Sequence, residues 1–299
     1  MTIKAFIRRN WLRLVMYGGL LVCAVDGFLI EPHWLKINRL SLSEHPSVRL
    51  VHISDIHYKG DKPYLMRVVA QINQLAPDIV CFTGDIAENT LYLEEALNAL
   101  GEINAPLYGV PGNHEYWSHA SFKRIRESFR KKGGDWLVDT SIVTCGGKGL
   151  LVGLAGEETA NPGAASEFAM PGRRMDWNPV PNSKLESASS SRSSDEAIPN
   201  QGNSAQVEPG AKRVLLTHYP VLVNTLKKEK YDLILSGHAH GGQVRLPLWG
   251  AVIVPFAVDG YELGTYMTES GRLHVSSGVG TFFLPVRFFC RPEITLIEL

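Results

Sequence analysis

Eight polar residues of this 299-residue chain stand at the ends of short apolar runs, and they are of the types that bind metal ions. "VRLVHIS" runs into Asp55 and His57, "PDIVCFTG" into Asp85, and "APLYGVPG" into Asn113 and His114. "KRVLLT" runs into His218, and "YDLILSG" into His238 and His240. The set offers two carboxylates, one amide and five of the ten histidines. Oxygen and imidazole donors without thiolate suit Mn, Fe or Zn. The i, i+2 spacing in "DIH" and "HAH" predicts both side chains on one side of an extended segment, able to point at one ion. Gly84, Gly112, Gly237, Gly241 and Gly242 permit tight turns that leave a substrate room beside the ligands. A single such piece is more often a surface histidine or a turn. Five in order, each closing an apolar run, point to a metal site.

The elements that must position these residues follow from periodicity. Each run is short, apolar and rich in β-branched residues, which reads as a buried strand. Between them, "PYLMRVVAQINQLA" (63–76) and "LEEALNALGEI" (93–103) carry apolar residues at three- and four-residue spacing, the helical period. Strands alternating with helices predict an α/β layered fold. In such sheets ligands bind beyond the carboxyl ends of the strands, where all eight residues fall.

Taken in order, "DIH" (55–57), "GD" (84–85), "GNHE" (112–115), "TH" (217–218) and "GHAH" (237–240) resemble the motif set of calcineurin-like metallophosphoesterases. The resemblance covers roughly residues 47–299. "GHAHGGQVRLP" and "GVGTFFLPVRFFCRPEITLIEL" are similar to a bacterial subfamily of exported or membrane-tethered phosphodiesterases, some of which cleave the pyrophosphate of UDP-2,3-diacylglucosamine in lipid A synthesis. The resemblance implies a four-layer α/β/β/α sandwich of two mixed sheets. It also implies two divalent ions, Mn first and Zn or Fe as alternatives. One would be held by Asp55, His57 and His240, the other by Asn113, His218 and His238, with Asp85 bridging. A metal-bridging hydroxide would attack phosphorus, and His114 would contact the phosphoryl oxygen or protonate the leaving group. Glu115 is read as part of the turn only. Many relatives carry an Asp three residues after the bridging one; "GDIAEN" has Glu88 there, so His114 is expected to be held by Glu88 or by another group. Gly241, Gly242 and Gln243 are expected to shape the rim. The alternative is a non-catalytic metal-binding scaffold of the same fold, or one keeping a single structural metal; a full ligand set with His114 argues against both.

Lys plus Arg equals Asp plus Glu at 30 each, so no net charge points to nucleic acid, and no obligate protein partner is expected. Cys23, Cys81, Cys145 and Cys290 form no CxxC pair, which argues against a disulfide framework or a thiolate zinc site. At the N-terminus Lys4, Arg8, Arg9 and Arg13 precede an apolar run from Leu14 to Ile30, broken by Asp26. Residues 1–35 therefore read as an export signal or membrane anchor, and "RRNWLR" resembles a twin-arginine signal. Charge asymmetry predicts the basic end in the cytoplasm and the catalytic domain on the far side; the alternative is the cytoplasmic face of the inner membrane. Pro179–Gly210 contains no aromatic residue and includes "SKLESASSSRSS", so a disordered insertion is expected. The membrane-proximal position suggests a lipid-linked or cell-envelope phosphoester. "TFFLPVRFF" (281–289) is read as a strand and turn closing the core rather than as an acyl-chain surface.

Overall fold

The computed structural model describes residues 3–156, 207–226 and 229–299. The insertion expected over 179–210 lies outside the described residues up to 206. Two six-stranded mixed sheets face each other. The first runs β1 (Lys36–Ser41), β14 (Glu293–Glu298), β2 (Arg49–Ile53), β3 (Ile79–Phe82), β4 (Leu107–Gly109), β5 (Asp135–Trp136). The second runs β12 (Gly264–Thr268), β13 (Gly271–Val275), β9 (Leu233–Ser236), β8 (Lys212–Thr217), β7 (Gly149–Leu154), β6 (Thr140–Thr144). A ribbon of β10 (Arg245–Leu246) and β11 (Gly250–Ala251) stands apart. Strands β2 to β5 are mutually parallel, as are β7, β8 and β9. The loops that follow β2, β3, β4, β8 and β9 therefore leave their sheets in a common sense and meet at one edge.

The central strands β2, β3, β4 and β9 are largely apolar because they are covered on both faces, whereas the edge strands β1, β6 and β12 carry exposed polar residues. In β3, Ile79 and Cys81 point between the sheets, where Leu50 of β2 meets Leu216 of β8 and Leu235 of β9. Val80 and Phe82 point the other way, against the helices. Helix α2 (Lys62–Leu75) starts where the Asp61 carboxylate accepts the Tyr64 N–H at 3.1 Å, and Pro63 sits in its first turn. Its stripe of Leu65, Val68, Val69, Ile72 and Leu75 is buried on the first sheet, each large aliphatic contributing about 1.5–3 kcal/mol. Helix α3 (Thr90–Leu100), capped by Asn89, packs beside it, and α5 (Phe122–Lys131) adds Ile125 and Phe129. Over the outer face of the second sheet lies, among the described residues, a 3₁₀ segment from Pro220 to Thr225.

Helix α1 (Ile3–Val25) runs through a π turn (Asp26–Ile30) and a 3₁₀ turn (Glu31–His33) into β1. The stretch Asn10–His33 is long and apolar enough to cross a membrane by length and composition, and little of it is buried. Its end is fastened to the domain. The buried Glu31 carboxylate accepts the N–H groups of Phe289 and Cys290, and the Arg287 N–H donates to the Gly27 carbonyl at 2.9 Å. The fold thus draws in residues ahead of 47.

The structure corrects the reading of 281–289. Phe283, Leu284 and Phe289 are more than half exposed, and the segment is a loop. It is built around the fully buried guanidinium of Arg287, which donates to the carbonyls of Ser277, Gly278, Gly280 and Cys290. A loop folded about a cation satisfies its carbonyls inward, and its apolar side chains turn out.

Two further buried imidazoles lie between the sheets away from the strand ends. His52 of β2 bonds Thr83 Oγ1 at 2.9 Å, His274 of β13 bonds Thr295 Oγ1 at 3.0 Å, and their rings stand 5.4 Å apart. Burial lowers both, His52 well below its ordinary value and His274 to about 4, with His274 also repelling a charge on His52 and Lys36 one on His274. Unfolded histidine titrates near 6.5, so below that pH the unfolded chain binds more protons than the folded one. Stability should fall as pH falls from about 6.5 towards 4. Denaturant melts at neutral pH and at about pH 5 should show this loss, and His274→Gln should reduce it while His52 keeps its own share; an equal loss in the variant would assign it to other groups.

Candidate metal centre

The donors come from all five strand ends and converge at the meeting edge of the two sheets. Asp55 and His57 follow β2, Asp85 follows β3, Asn113 and His114 open the short helix α4 (Asn113–Trp117) after β4, His218 follows β8, and His238 and His240 follow β9. All eight are buried. Donor atoms of Asp55, His57 and His240 lie within 4.8 Å of one another, as do those of Asp55, Asp85 and His218. His57 Nε2 is 3.0 Å from His240 Nε2 and 3.3 Å from Asp85 Oδ2; His240 Nε2 is 3.4 Å from Asp55 Oδ1. On the other side His218 Nε2 is 3.0 Å from Asn113 Oδ1, 3.1 Å from His238 Nδ1 and 3.5 Å from Asp85 Oδ2. Asp85 faces both groups.

The backbone that achieves this departs from the extended geometry expected of "DIH" and "HAH". Asp55, His57, Asp85, His238 and His240 all have positive φ, between 42° and 66°. The left-handed region is unfavourable for residues with a Cβ and persists where the surroundings enforce it, as at functional sites. Residues one apart point at the centre because each is individually left-handed, not because they share a strand face. Close approach is the second requirement. A Cβ on Gly112 would lie 2.2 Å from Asp85 Oδ1, and one on Gly237 would lie 2.4 Å from Asp55 Oδ2. The carboxylates occupy the space that side chains there would fill.

The second ring nitrogens of His57, His218 and His238 are already committed, which orients the first. His218 Nδ1 lies 2.6 Å from the Thr83 carbonyl, His238 Nε2 2.8 Å from the Phe256 carbonyl, and His57 Nδ1 3.3 Å from Glu88 Oε2. This carbonyl or carboxylate support is how metal-binding imidazoles are commonly held. Glu88 thus serves His57 with its carboxylate, while its backbone carbonyl lies 3.3 Å from His114 Nδ1. Among the described residues His114 Nε2 is buried with no hydrogen-bond partner, and its ring packs on Phe282 and Trp117. Converging oxygen and nitrogen donors, oriented from behind and buried, fit divalent cations.

The charges of the site favour a cation as well. Burial would raise the Asp85 carboxyl, but the imidazoles of His218, His114 and His57 outweigh it and hold the group well below the usual carboxylate range. Burial lowers His238 and His240, each helped by a neighbouring imidazole. For His57 burial is outweighed by Asp85 and Glu88, which draw it up to about 9. The place between those carboxylates is where positive charge is most welcome.

Glu115, read as part of the turn, is a structural member of the site. Its buried carboxylate accepts the N–H groups of Gly112 at 2.7 Å, Ile86 at 2.8 Å and Asp85 at 2.9 Å, tying the loop after β3 to the start of α4. Burial, and then the charge of Asp85, push it up to about 7. The signal that could have found it is the Glu at the third helical position, the spacing of a capping box. Glu115→Ala would leave three buried N–H groups without acceptors, at about 1–3 kcal/mol each. Denaturant unfolding should show a loss of roughly 3 kcal/mol or more; a loss below about 1 kcal/mol would mean that the loop is held otherwise.

The sequence profile of the calcineurin-like phosphoesterases matches residues 48–242. Over 319 aligned residues the chain is 29% identical to an uncharacterized metallophosphoesterase, YkuE, of Bacillus subtilis (strain 168), covering 99% of this chain and 98% of that protein. It is 24% identical over 280 residues to phosphodiesterase YaeI of Escherichia coli (strain K12), covering 90% of each. It is 27% identical over 313 residues to the UDP-2,3-diacylglucosamine pyrophosphatase LpxG of Chlamydia muridarum (strain MoPn / Nigg), again covering 90% of each. The matched span contains every donor from Asp55 to His240 and well over half of the sequence, so the chain belongs to the calcineurin-like phosphoesterase family.

Proposed function

We propose that the chain is a binuclear-metal phosphoesterase that hydrolyses a phosphodiester or pyrophosphate bond in a lipid-linked or cell-envelope substrate. The observation that carries this reading is the convergence of buried donors from five strand ends, five of the donors left-handed, on one focus shared through Asp85. Asp55, His57 and His240 would hold one ion and Asn113, His218 and His238 the other, with Asp85 common to both; Mn is the first choice and Zn or Fe the alternatives. Such ions supply charge for the phosphoryl oxygens and make hydroxide available at neutral pH. The chain's own residues do the rest. Glu88 and the Thr83 and Phe256 carbonyls keep the imidazoles in one orientation. His114 presents Nε2 to the substrate, to donate to a phosphoryl oxygen or to the leaving oxygen, while burial keeps its pKa below the ordinary value. Because Nδ1 faces the Glu88 carbonyl, which can only accept, a neutral ring keeps its proton on Nδ1, and His114 donates from Nε2 only once the ring is protonated.

The phosphodiesterase and pyrophosphatase relatives support an ester with two substituents over a monoester. The apolar N-terminal stretch supports a membrane-held enzyme. By the basic residues ahead of that stretch, the domain would stand on the non-cytoplasmic side.

The test is hydrolysis by the full chain, metal-stripped and then supplied with Mn²⁺, of bis-p-nitrophenyl phosphate against p-nitrophenyl phosphate. Metal-dependent cleavage favouring the diester is expected. His114→Ala should keep its metal and lose about 10²–10⁴ in rate. Loss of metal in that variant would contradict its role, and inactivity of a chain that binds no metal would contradict the whole reading.

A further inference from the structure

A cavity of about 320 Å³ opens beside the metal centre, between the segment from Val244 to Pro255 and the loop from Phe282 to Val286. Val244, Val252, Ile253, Leu284 and Val286 are among its walls, and among the described residues no charged side chain lines it. Its polar side chains are His240 and Gln243. The volume is at the low end of small-molecule sites, about 300–1,000 Å³, room enough for one hydrocarbon chain.

Two connections say what would occupy it. The first leads to the metal centre. His240 belongs both to the donor group and to the cavity wall, and the Phe282 ring stands 6.1 Å from His240 and 5.6 Å from both His57 and His114. Gln243 clamps Phe282 by donating to its carbonyl at 2.9 Å and accepting its N–H at 2.6 Å, so this partition is fixed. A group bound in the cavity is thus covalently within reach of an ester at the centre. The second connection leads to α1. The opposite wall includes Val286, whose side chain packs on Gly27 at the end of the apolar N-terminal stretch, and the same loop is fastened there by Glu31. Apolar walls at the foot of a segment able to cross a bilayer call for an apolar ligand that can arrive from one.

We infer that this cavity binds one alkyl chain of the ester hydrolysed at the adjoining centre, an assignment that rests on the phosphoesterase reading above. The chain lies along Ile253 and Leu284, the phosphoester passes Phe282, and the aqueous substituent faces away from the cavity.

The experiment uses the full chain in phosphatidylcholine nanodiscs, loaded with Mn²⁺, and a series of alkyl p-nitrophenyl phosphodiesters from ethyl to dodecyl. Partitioning into lipid is common to all variants and cancels between them. For the wild type, kcat/KM should rise roughly fourfold per accepted methylene and then level off. Ile253→Asn and Leu284→Asn should flatten the rise and leave bis-p-nitrophenyl phosphate hydrolysis unchanged. The same rise in both variants, or none in a wild type that cleaves the diester, would overturn the inference. A second readout needs no turnover: metal-stripped wild type should bind dansylundecanoic acid saturably, one per chain, and both variants should lose it. Binding lost in the variants while bis-p-nitrophenyl phosphate stays uncleaved would refute the phosphoesterase reading and keep the chain site. Diester cleavage with no saturable binding would refute the chain site alone.

Discussion

A buried carboxylate costs several kcal/mol unless something answers its charge, and Asp85 lies buried where the two sheets meet. Much of the local structure can be understood as that answer. The His114 N–H donates to its Oδ1 at 2.9 Å, imidazoles approach its Oδ2 from both sides, and Gly112 leaves the space in which the carboxylate sits. Glu115 holds the same loop by its backbone, at the expense of a second carboxyl close by that burial and Asp85 push up to about 7. Positive charge between Asp55, Asp85 and Glu88 relieves all of these tensions together. The site favours a cation, and its left-handed residues are the conformational cost of bringing these donors together.

Much of this was legible in the sequence because the central strands are buried on both faces. Continuous apolar runs such as "DIVCF" therefore stand out, and their ends are conspicuous when they carry Asp and His. The helices around Val68 and Leu97 were legible for the same reason, since only their stripes face the sheet. What periodicity does not encode is φ. Nothing in "DIH" separates two extended residues from two left-handed ones, so a reading by strand face assumes an extended backbone that the structure does not contain. Glu115 escaped because its partners are three backbone N–H groups, two of them from a loop distant in sequence.

Long-range pairing was equally hidden. Strand β14, at the C-terminal end, inserts between β1 and β2, so the edge of the first sheet joins segments from opposite ends of the chain. The 281–289 loop follows from the same closure: it must turn back towards β14 next to the metal centre, and it does so around Arg287. That buried cation holds one wall of the site, and Glu31 and Gly27 hold the end of the N-terminal helix against it. The apolar segment and the candidate metal centre are therefore joined through one loop hydrogen-bonded about Arg287 rather than through a free linker.

The most direct measurement is anomalous diffraction from crystals of the Mn²⁺-loaded chain, collected at the manganese edge. Two peaks about 3.5–4 Å apart, one among Asp55, His57 and His240, the other among Asn113, His218 and His238, with Asp85 touching both, are predicted. A single peak, or a pair not bridged by Asp85, would contradict the account.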